Sequence, residues 1–564
     1  MRSLLIASLT AIAATMTTGC DEIRSQMNKL KTDAPAASTH DGANAKANKN
    51  RLEADVRYLA DDLLEGREAG TRGYDLAAKY VAENYRAIGL TPGGNDGTYY
   101  QEVPMREDTL GSENGGTLTL TGANAPQDIE PAVDYFVGST ARETSGSVEA
   151  PLVFVGYGLV AEDYNRDDFA GLDVEGKIVV AMFGSPKFLN TEERAHYRST
   201  LAKRASDRGA VGMIVLFTPD LAKLIPVPNP FEYLVGMQRS DSSMSWLEAD
   251  GTPHSNAPNF RGGAFLSPAL SERFFENQPV SWEDIVAAEA SEMGEIQGFD
   301  MNMTARIEHS SNHRELTSPN VIGILPGSDP QLKDEYIVLT AHLDHDGIKP
   351  TPEEGDDELF NGAMDNATGT ASIMEVARLL SQNPPKRSVM FVALTAEEKG
   401  LVGSDYNARN PTVPAEQVVA NVNLDMPILT WPFTDVVAFG AERSTMYPIV
   451  EAAVARAGLT LTPDPQPEQG FFVRSDQYSY VKQGVPAVYL DLGFGNGGEE
   501  AQTAFQKDHY HKPSDEVEHI DFEQLRRFAQ VNYEIADGVA NMETRPLWKK
   551  DDFFARIFNG PMEE

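Results

Sequence analysis

The stretch "YIVLTAHLD", residues 336–344, decides the fold of the second half of this chain, because an apolar run of strand length ends there in histidine and aspartate. Two similar runs follow it, "SVMFVALTAEE" at 388–398 and "VVANVNLDM" at 418–426. Between the first two, "ASIMEVARLL" at 371–380 places apolar side chains at helical spacing. Apolar strands that alternate with helices predict a mixed α/β fold, in which a largely parallel sheet is sandwiched by helices.

Each of these three runs ends in residues that can bind metals. His342 and Asp344 follow the first run, Glu397 and Glu398 follow the second, and Asp425 follows the third. In parallel sheets the functional side chains collect at the carboxyl ends of the strands. We therefore expect these side chains to lie along one edge of the sheet.

Two further segments add ligand-type residues to this group. Asp365 lies in "GAMDNATG", residues 362–369, just before the helix that links the first two strands, and a late segment, "DHYHKPSDEVEHID", supplies His509 and His511. So many carboxylates without Arg or Lys beside them would repel one another and raise their pKa values, unless cations lie between them. Two divalent metal ions would remove this repulsion, and imidazole nitrogen with carboxylate oxygen suits zinc.

Length and charge limit the classes of protein to which the chain can belong. A chain of 564 residues is too long for one ordinary core and predicts two or three compact units. Acidic residues outnumber basic ones by 85 to 47, which gives a net charge of -38. This charge repels phosphate backbones and anionic lipids, so we expect no nucleic-acid partner. Solubility in a salty or periplasmic setting would explain the same acidity.

The first 20 residues predict export from the cytoplasm. Arg2 precedes an apolar stretch at 4–14, which is too short to span a membrane as a helix but suits a secretory signal. Cys20, the only cysteine, ends the sequence "TTGC", which resembles the lipobox of a bacterial lipoprotein except that Thr17 stands where Leu is usual. We expect a periplasmic protein held to a membrane only by a lipid on Cys20. The alternative is a plain cleaved signal with an incidental cysteine.

Composition and pattern divide the rest of the chain into units. Residues 21–50 have no apolar periodicity and predict a flexible linker, whereas residues 51–130 include a helix pattern that ends at Gly89. Residues 131–295 contain short β-rich runs without metal-ligand spacing, so we expect a separate domain without chemistry of its own. The strand and helix alternation occupies 296–545, and 546–564 form a C-terminal tail.

Several motifs resemble those of metallopeptidase family 28, the zinc aminopeptidases that also include glutamate carboxypeptidase and the transferrin receptor ectodomain. The resemblance covers most of the chain, and the motifs follow in the family's order. They are "LLEGREAGTRGYDLAAKYVAENYRAIGL", "HLD", "GAMDNATG", "AEEKGLVGS", "NLDM", "SDQYSYVKQGVPAV" and "YHKPSDE". The resemblance implies a zinc-exopeptidase fold, with the 131–295 unit as an inserted protease-associated domain and 51–130 as part of the peptidase domain.

The resemblance also implies a role for each residue of the group. His342 and Asp425 would hold one Zn²⁺, Glu398 and His511 would hold a second, and Asp365 would bridge the two. Each metal would keep an open position for water.

Outside the metal ligands, the resemblance implies that Glu397 is the general base and that Asp344 orients the His342 imidazole. Asn366 and Asp515 are expected to support their loops.

Some features depart from the family pattern. Residues 345–361 form a longer and more acidic link than expected, which is either a lid over the cleft or a solvated loop. His345 and His509 have no role in the pattern, and the roles of Ser475 and Asp476 stay open.

The sequence thus predicts a di-zinc metallo-exopeptidase, and specifically an aminopeptidase acting on peptides. A glutamate-carboxypeptidase-like enzyme and a single-zinc glutaminyl-cyclase-like enzyme are alternatives on the same fold, and a non-catalytic binding module is a third. Acidic surroundings favour a substrate with a free ammonium, whereas Arg474 would suit a substrate carboxylate. The sequence does not indicate the oligomeric state.

Overall fold

The computed structural model describes residues 45–225, 227–350 and 356–564. The predicted signal, Cys20 and most of the predicted linker lie outside the described residues, as does part of the 345–361 link. The first helix begins at Lys49, slightly before the predicted end of the linker. Within the described part of the chain, no helix is both long and apolar enough to cross a membrane.

Most strands of the described chain are short, and the longest one, β12, joins two sheets. In chain order they are β1 (Thr91–Pro92), β2 (Tyr100–Leu110), β3 (Gly116–Gly122), β4 (Tyr135–Phe136), β5 (Ser145–Phe154), β6 (Val160–Ala161), β7 (Arg166–Asp167), β8 (Ile178–Met182), β9 (Gly212–Leu216), β10 (Ser243–Trp246), β11 (Gly263–Leu266), β12 (Phe299–Leu325), β13 (Tyr336–His342), β14 (Gly347–Ile348), β15 (Leu359–Phe360), β16 (Ser388–Leu394), β17 (Val418–Asn423), β18 (Asp435–Phe439), β19 (Thr460–Leu461) and β20 (Ala487–Leu492).

The α-helices of the described chain lie between these strands and at the chain's ends. In chain order they are α1 (Lys49–Leu59), α2 (Arg72–Ile88), α3 (Thr191–Ser199), α4 (Leu201–Ser206), α5 (Pro219–Leu224), α6 (Pro230–Ser240), α7 (Pro268–Arg273), α8 (Trp282–Ala290), α9 (Thr368–Ser381), α10 (Val402–Arg409), α11 (Tyr447–Arg456), α12 (Gln477–Val481), α13 (Gly498–Asp508), α14 (Phe522–Ala540) and α15 (Phe553–Ile557).

The sheet of the peptidase half has the order β19-β18-β20-β17-β13-β16-β12. Strand β13 lies between β16 and β17 and runs parallel to both, whereas β12 is antiparallel to β16 and β18 is antiparallel to β20. This confirms the predicted mixed, largely parallel sheet.

Helices cover both faces of this sheet, which explains why its central strands are continuously apolar. Ile337 and Leu339 of β13 pack in the core that also contains buried residues of α1, α2, α9 and α14. Val338, between them, packs on the opposite face with Ala408 of α10 and Tyr480 of α12. Because a strand alternates its side chains between faces, a strand covered on both sides needs apolar residues at every position.

A second sheet forms the middle unit, and β12 belongs to both sheets. The C-terminal half of β12 pairs with β2 and β16, and its N-terminal half pairs with β3 and β5. From there the order continues β5-β8-β9-β11-β4, with β5, β8, β9 and β11 parallel. The unit is therefore mixed α/β, and because it includes β3 at Gly116–Gly122 it begins earlier than residue 131. Its identity as a protease-associated domain stays a prediction.

The C-terminal segment, expected as a tail, is packed against both units. Trp548 is fully buried and its Nε1 donates to the carbonyl oxygen of Gly484 at 2.8 Å. Phe553 and Phe554 of α15 lie against the ring of His196 in α3. The last residues thus contribute to the junction of the two units.

Candidate metal centre

The carboxyl ends of β16, β13 and β17 lie side by side, as the sequence predicts. His342 is the last residue of β13, Glu397 and Glu398 follow β16, and Asp425 follows β17. Because the three strands are adjacent and parallel, these side chains emerge at one edge of the sheet.

Two histidines each face two carboxylates at this edge. Nε2 of His342 lies 2.9 Å from Oδ1 of Asp425 and 3.2 Å from Oδ1 of Asp365. Nε2 of His511 lies 3.2 Å from Oε2 of Glu398 and 3.3 Å from Oδ2 of Asp365. The structure thus brings together all five residues expected as metal ligands, and Asp365 directs one oxygen to each group.

The donor set fits cations better than it fits hydrogen bonds alone. Ligand atoms at about 2.0–2.1 Å from a tetrahedral zinc ion lie roughly 3.3 Å from one another, close to the spacing in both groups. A neutral imidazole can donate one proton from Nε2, yet His342 and His511 each meet two carboxylate oxygens there. A cation between the three atoms of each group would satisfy all of them.

The loop that carries Asp365 is fixed by its neighbours. Both oxygens of the Asp515 carboxylate accept backbone hydrogen bonds, from Met364 at 2.9 Å and from Asp365 at 3.0 Å. Oδ1 of Asn366 accepts from the backbone of Met426 at 3.1 Å, which ties the loop to the end of β17. The peptide bond between Asp365 and Asn366 is cis. Asp515 and Asn366 therefore support the loop.

This arrangement can be compared with known proteins. Residues 320–536 match the family model described as Peptidase family M28. The chain contains an M28 peptidase domain. All five ligand-type residues lie within the matched range, and the prediction of a family 28 metallopeptidase is confirmed.

The similar proteins include two named as aminopeptidases. Aminopeptidase YwaD of Bacillus subtilis (strain 168) is 26% identical over 497 residues, covering 87% of this chain and 85% of that protein. Aminopeptidase NAALADL1 of Mus musculus is 26% identical over 410 residues, covering 65% of this chain, which thus spans about half (50%) of the mouse protein. A probable zinc metalloprotease of Pyrenophora teres f. teres (strain 0-1) is 33% identical over 106 residues, covering 19% of this chain and 22% of that protein.

Glu397 of the M28 domain lies at the turn that follows β16. The preceding residue, Ala396, is fully buried and has a φ of 52°, a left-handed conformation that is uncommon for residues other than glycine. Burial raises the pKa of Glu397, and the nearby carboxylates of Glu398 and Asp425 raise it further, against the opposing effect of His342. A raised pKa suits a carboxylate that accepts a proton near neutral pH.

Asp344 differs from the expected role. The resemblance implies that its carboxylate orients the His342 imidazole, but it is the backbone oxygen of Asp344 that lies 3.1 Å from Nδ1 of His342. The carboxylate instead accepts hydrogen bonds from the backbone N–H groups of Glu397 at 3.1 Å and Glu398 at 3.2 Å. The backbone turn after His342 already places a carbonyl beside the ring, which leaves the side chain free to fix the glutamate pair.

His345 of the M28 domain, which has no role in the family pattern, contacts a predicted ligand. Its Nδ1 lies 2.7 Å from Oε1 of Glu398, the oxygen that does not face His511. The side chain is fully buried, and its Nε2 has no hydrogen-bond partner among the described residues. Sequence reasoning had no signal for this contact beyond the closeness of His345 to His342.

Arg67 is a second residue of the site that sequence reasoning missed. It is almost fully buried, and its guanidinium donates to the backbone oxygens of Leu59, Leu343, Asn361 and Gly362 at 2.5–2.9 Å. Burial lowers its pKa to about 10, although carboxylates of the site oppose the shift. The expectation of a cluster without a nearby arginine was therefore wrong. Arg67 contributes a positive charge while bonding to backbone oxygens rather than to carboxylates.

The remaining candidates from the sequence differ in their position relative to the metal centre. Ser475 donates from Oγ to Oδ2 of Asp425 at 2.5 Å, and so holds the oxygen that does not face His342. Asp476 is fully buried and makes no well-aligned hydrogen bond among the described residues, and burial raises its pKa to about 7 against the opposing effects of His342 and a contact with Ser404. His509 lies outside the cluster, with its ring 4.0 Å from that of His519.

Proposed function

We propose that this chain is a di-zinc exopeptidase that removes N-terminal residues from peptides. The carboxylate of Asp365 carries the proposal, because its two oxygens face two separate histidine and carboxylate groups at 3.2 and 3.3 Å. One group would hold one ion through His342 and Asp425, and the other would hold the second through Glu398 and His511. The names of the relatives, two aminopeptidases and a probable zinc metalloprotease, support both zinc and aminopeptidase activity.

Within this proposal the metals supply one kind of chemistry and the chain supplies another. Bound zinc polarises a peptide carbonyl and lowers the pKa of water. Glu397 accepts the proton of the attacking water on its carboxylate and then gives it to the leaving amine. Asp344 holds the Glu397 backbone in place for this transfer through the 3.1 Å hydrogen bond to its N–H.

The four carboxylates at the sheet edge would be matched in charge by the two proposed zinc ions. Glu397, Glu398, Asp365 and Asp425 converge there, and the buried Arg67 bonds to backbone oxygens. Because bound zinc would offset these negative charges, the preference for a free α-ammonium rests on the names of the aminopeptidase relatives.

Arg474 favours a second candidate, a carboxypeptidase-like enzyme. It is exposed next to Ser475, its guanidinium lies 5.4 Å from the centre of the Phe471 ring, and it has no carboxylate partner within the described ranges. An arginine in this position could bind a substrate carboxylate.

Two blocked peptides distinguish these candidates. The zinc-loaded protein should release the first residue of Leu-Gly-Gly amide, which has a free ammonium and no carboxylate. It should not cleave N-acetyl-Gly-Gly-Leu, which has only the carboxylate, and extensive treatment with a zinc chelator should abolish turnover. The opposite preference would support the carboxypeptidase-like enzyme. If the protein bound two zinc ions and cleaved neither these peptides nor unblocked peptides, the binding-module alternative would replace both.

We also propose, from the sequence alone, that the chain is exported and lipidated at Cys20. In a bacterial host, the full-length protein should incorporate labelled palmitate and fractionate with membranes. The Cys20→Ser variant should do neither. Equal labelling of both forms would contradict lipidation at this residue.

A further inference from the structure

The middle unit contains a cavity whose lining includes none of the residues of the metal centre. Its volume is about 280 Å³, and its walls come from β4, β9, β11, β12 and the segments beside them. Ligand pockets in proteins usually measure about 300 to 1,000 Å³. This cavity therefore suits a ligand of amino-acid size better than a peptide chain.

One wall of the cavity is apolar. The rings of Phe136 and Phe265 stack with their centres 5.1 Å apart and their planes within 4° of parallel. Met213 and Val215, at alternate positions of β9, lie beside them because β9 pairs with β11 in parallel. This wall could accept an aliphatic or aromatic side chain.

Charged side chains line the same cavity. Arg142 and Arg261 are exposed, and both donate to the backbone oxygen of Pro258. Among the described residues neither arginine forms an ion pair, and the exposed Glu143 forms none either, although its charge acts on the neighbouring Arg142 and His309. The two guanidinium groups, held together by one carbonyl oxygen, present donors that match the carboxylate of a ligand. The carboxylate of Glu143 next to them could bind the ammonium of the same ligand.

A buried imidazole gives the cavity a further polar group. His309 is only 6% exposed and lines the cavity, and among the described residues its ring approaches the backbone of Glu143 but makes no well-aligned hydrogen bond from either nitrogen. An unsatisfied buried polar atom is unfavourable, so a polar ligand atom in the cavity would stabilise this arrangement.

We propose that this cavity binds a free apolar α-amino acid. Its carboxylate would contact Arg142 and Arg261, its ammonium would contact Glu143, and its side chain would pack on the wall formed by Phe136 and Phe265. The site needs all three parts of the ligand, which distinguishes it from a general hydrophobic pocket. Free amino acids are also what an exopeptidase releases, but the inference does not depend on the proposed activity, since it is tested by binding.

Isothermal titration calorimetry with three probes tests the site. L-phenylalanine should bind the zinc-loaded full-length protein. L-phenylalaninol, which lacks the carboxylate, and N-acetyl-L-phenylalanine, which lacks the ammonium, should each bind at least about tenfold more weakly. Absence of L-phenylalanine binding, or equal binding of all three probes, would overturn the proposal.

Variants locate the binding in this cavity. Arg142→Gln and Glu143→Gln change exposed side chains and should each weaken L-phenylalanine binding at least about tenfold. Arg306→Gln is the matched control, because Arg306 is an exposed arginine of the same unit that does not line the cavity. It should bind as the natural protein does. Unchanged affinity in Arg142→Gln would place any binding elsewhere, including the metal centre, and would contradict the proposal.

Discussion

At the scale of single residues, the site depends on carboxylates that make different contacts with their two oxygens. Asp365 directs one oxygen to each histidine group, Glu398 contacts His511 with one oxygen and His345 with the other, and Asp425 contacts His342 and Ser475. A carboxylate held on both sides cannot rotate away from a bound ion. These contacts predict that ligand substitutions at the site have unequal effects.

Asp365 is the residue whose loss should affect both metals. Asp365→Ala removes one negative charge and a ligand of each proposed ion, whereas Asp425→Ala removes a ligand of one ion only. Zinc content after dialysis against a weak chelator should be close to two per chain for the natural protein, near one for Asp425→Ala and near zero for Asp365→Ala. A natural protein that never holds more than one ion would contradict the two-metal proposal and favour the single-zinc cyclase-like alternative.

Glu397 is expected to accept the proton of the attacking water and not to bind the metals. Glu397→Gln keeps the size of the side chain but cannot accept a proton, so we expect turnover to fall by about a hundredfold to ten-thousandfold. Zinc content should stay at the level of the natural protein. Turnover near that of the natural protein, with full zinc content, would remove Glu397 from the mechanism.

At the scale of secondary structure, the sheet edge could be predicted from sequence but the groups that support it could not. Continuous apolar runs identify β13, β16 and β17, and their final residues indicate the site because parallel strands end together. The contacts of Arg67 and the carboxylate of Asp344 are to backbone groups. Any loop sequence carries such groups, so no spacing of residue types reveals these contacts.

Arg67 should connect the elements around the site. Its guanidinium joins the end of α1, the turn after β13 and the loop before Asp365. Arg67→Met would leave these buried backbone oxygens without donors, which should lower the free energy of unfolding by about 3 kcal/mol or more. Zinc affinity should fall about tenfold to a hundredfold as the loops shift.

Arg72→Met is the matched control for this variant. Arg72 is exposed and lies 3.8 Å from Glu65, so its loss should change the free energy of unfolding by no more than about 0.5 kcal/mol. Urea unfolding of both variants, followed by a zinc-binding titration, compares them. Equal stability of Arg67→Met and Arg72→Met would show that the buried arginine does not hold these elements together.

At the scale of the whole molecule, one buried histidine lies where the middle unit, the peptidase half and the C-terminal segment meet. Nδ1 of His196 in α3 lies 2.6 Å from the hydroxyl of Tyr478 in α12, and its ring contacts Phe553, Phe554 and Phe558. The boundaries of these units could be predicted only roughly, because β12 and the C-terminal segment each contribute to more than one unit. The junction itself rests on contacts between residues far apart in sequence.

Acid should weaken this junction. Burial, with a smaller contribution from the charge of Arg204, lowers the pKa of His196 from an ordinary value of 6.5 to about 3. Between these pH values the unfolded chain binds a proton at His196 that the folded chain does not, so the free energy of unfolding decreases as pH falls. From pH 7 to pH 5 this contribution amounts to about 2 kcal/mol.

His196→Gln keeps a polar group for Tyr478 but cannot be protonated, so its stability should fall less over this range. Urea unfolding of both proteins at the two pH values, with zinc held constant, measures the difference. Because all other titrating groups are shared, the same loss in both proteins would show that protonation of His196 does not weaken the junction.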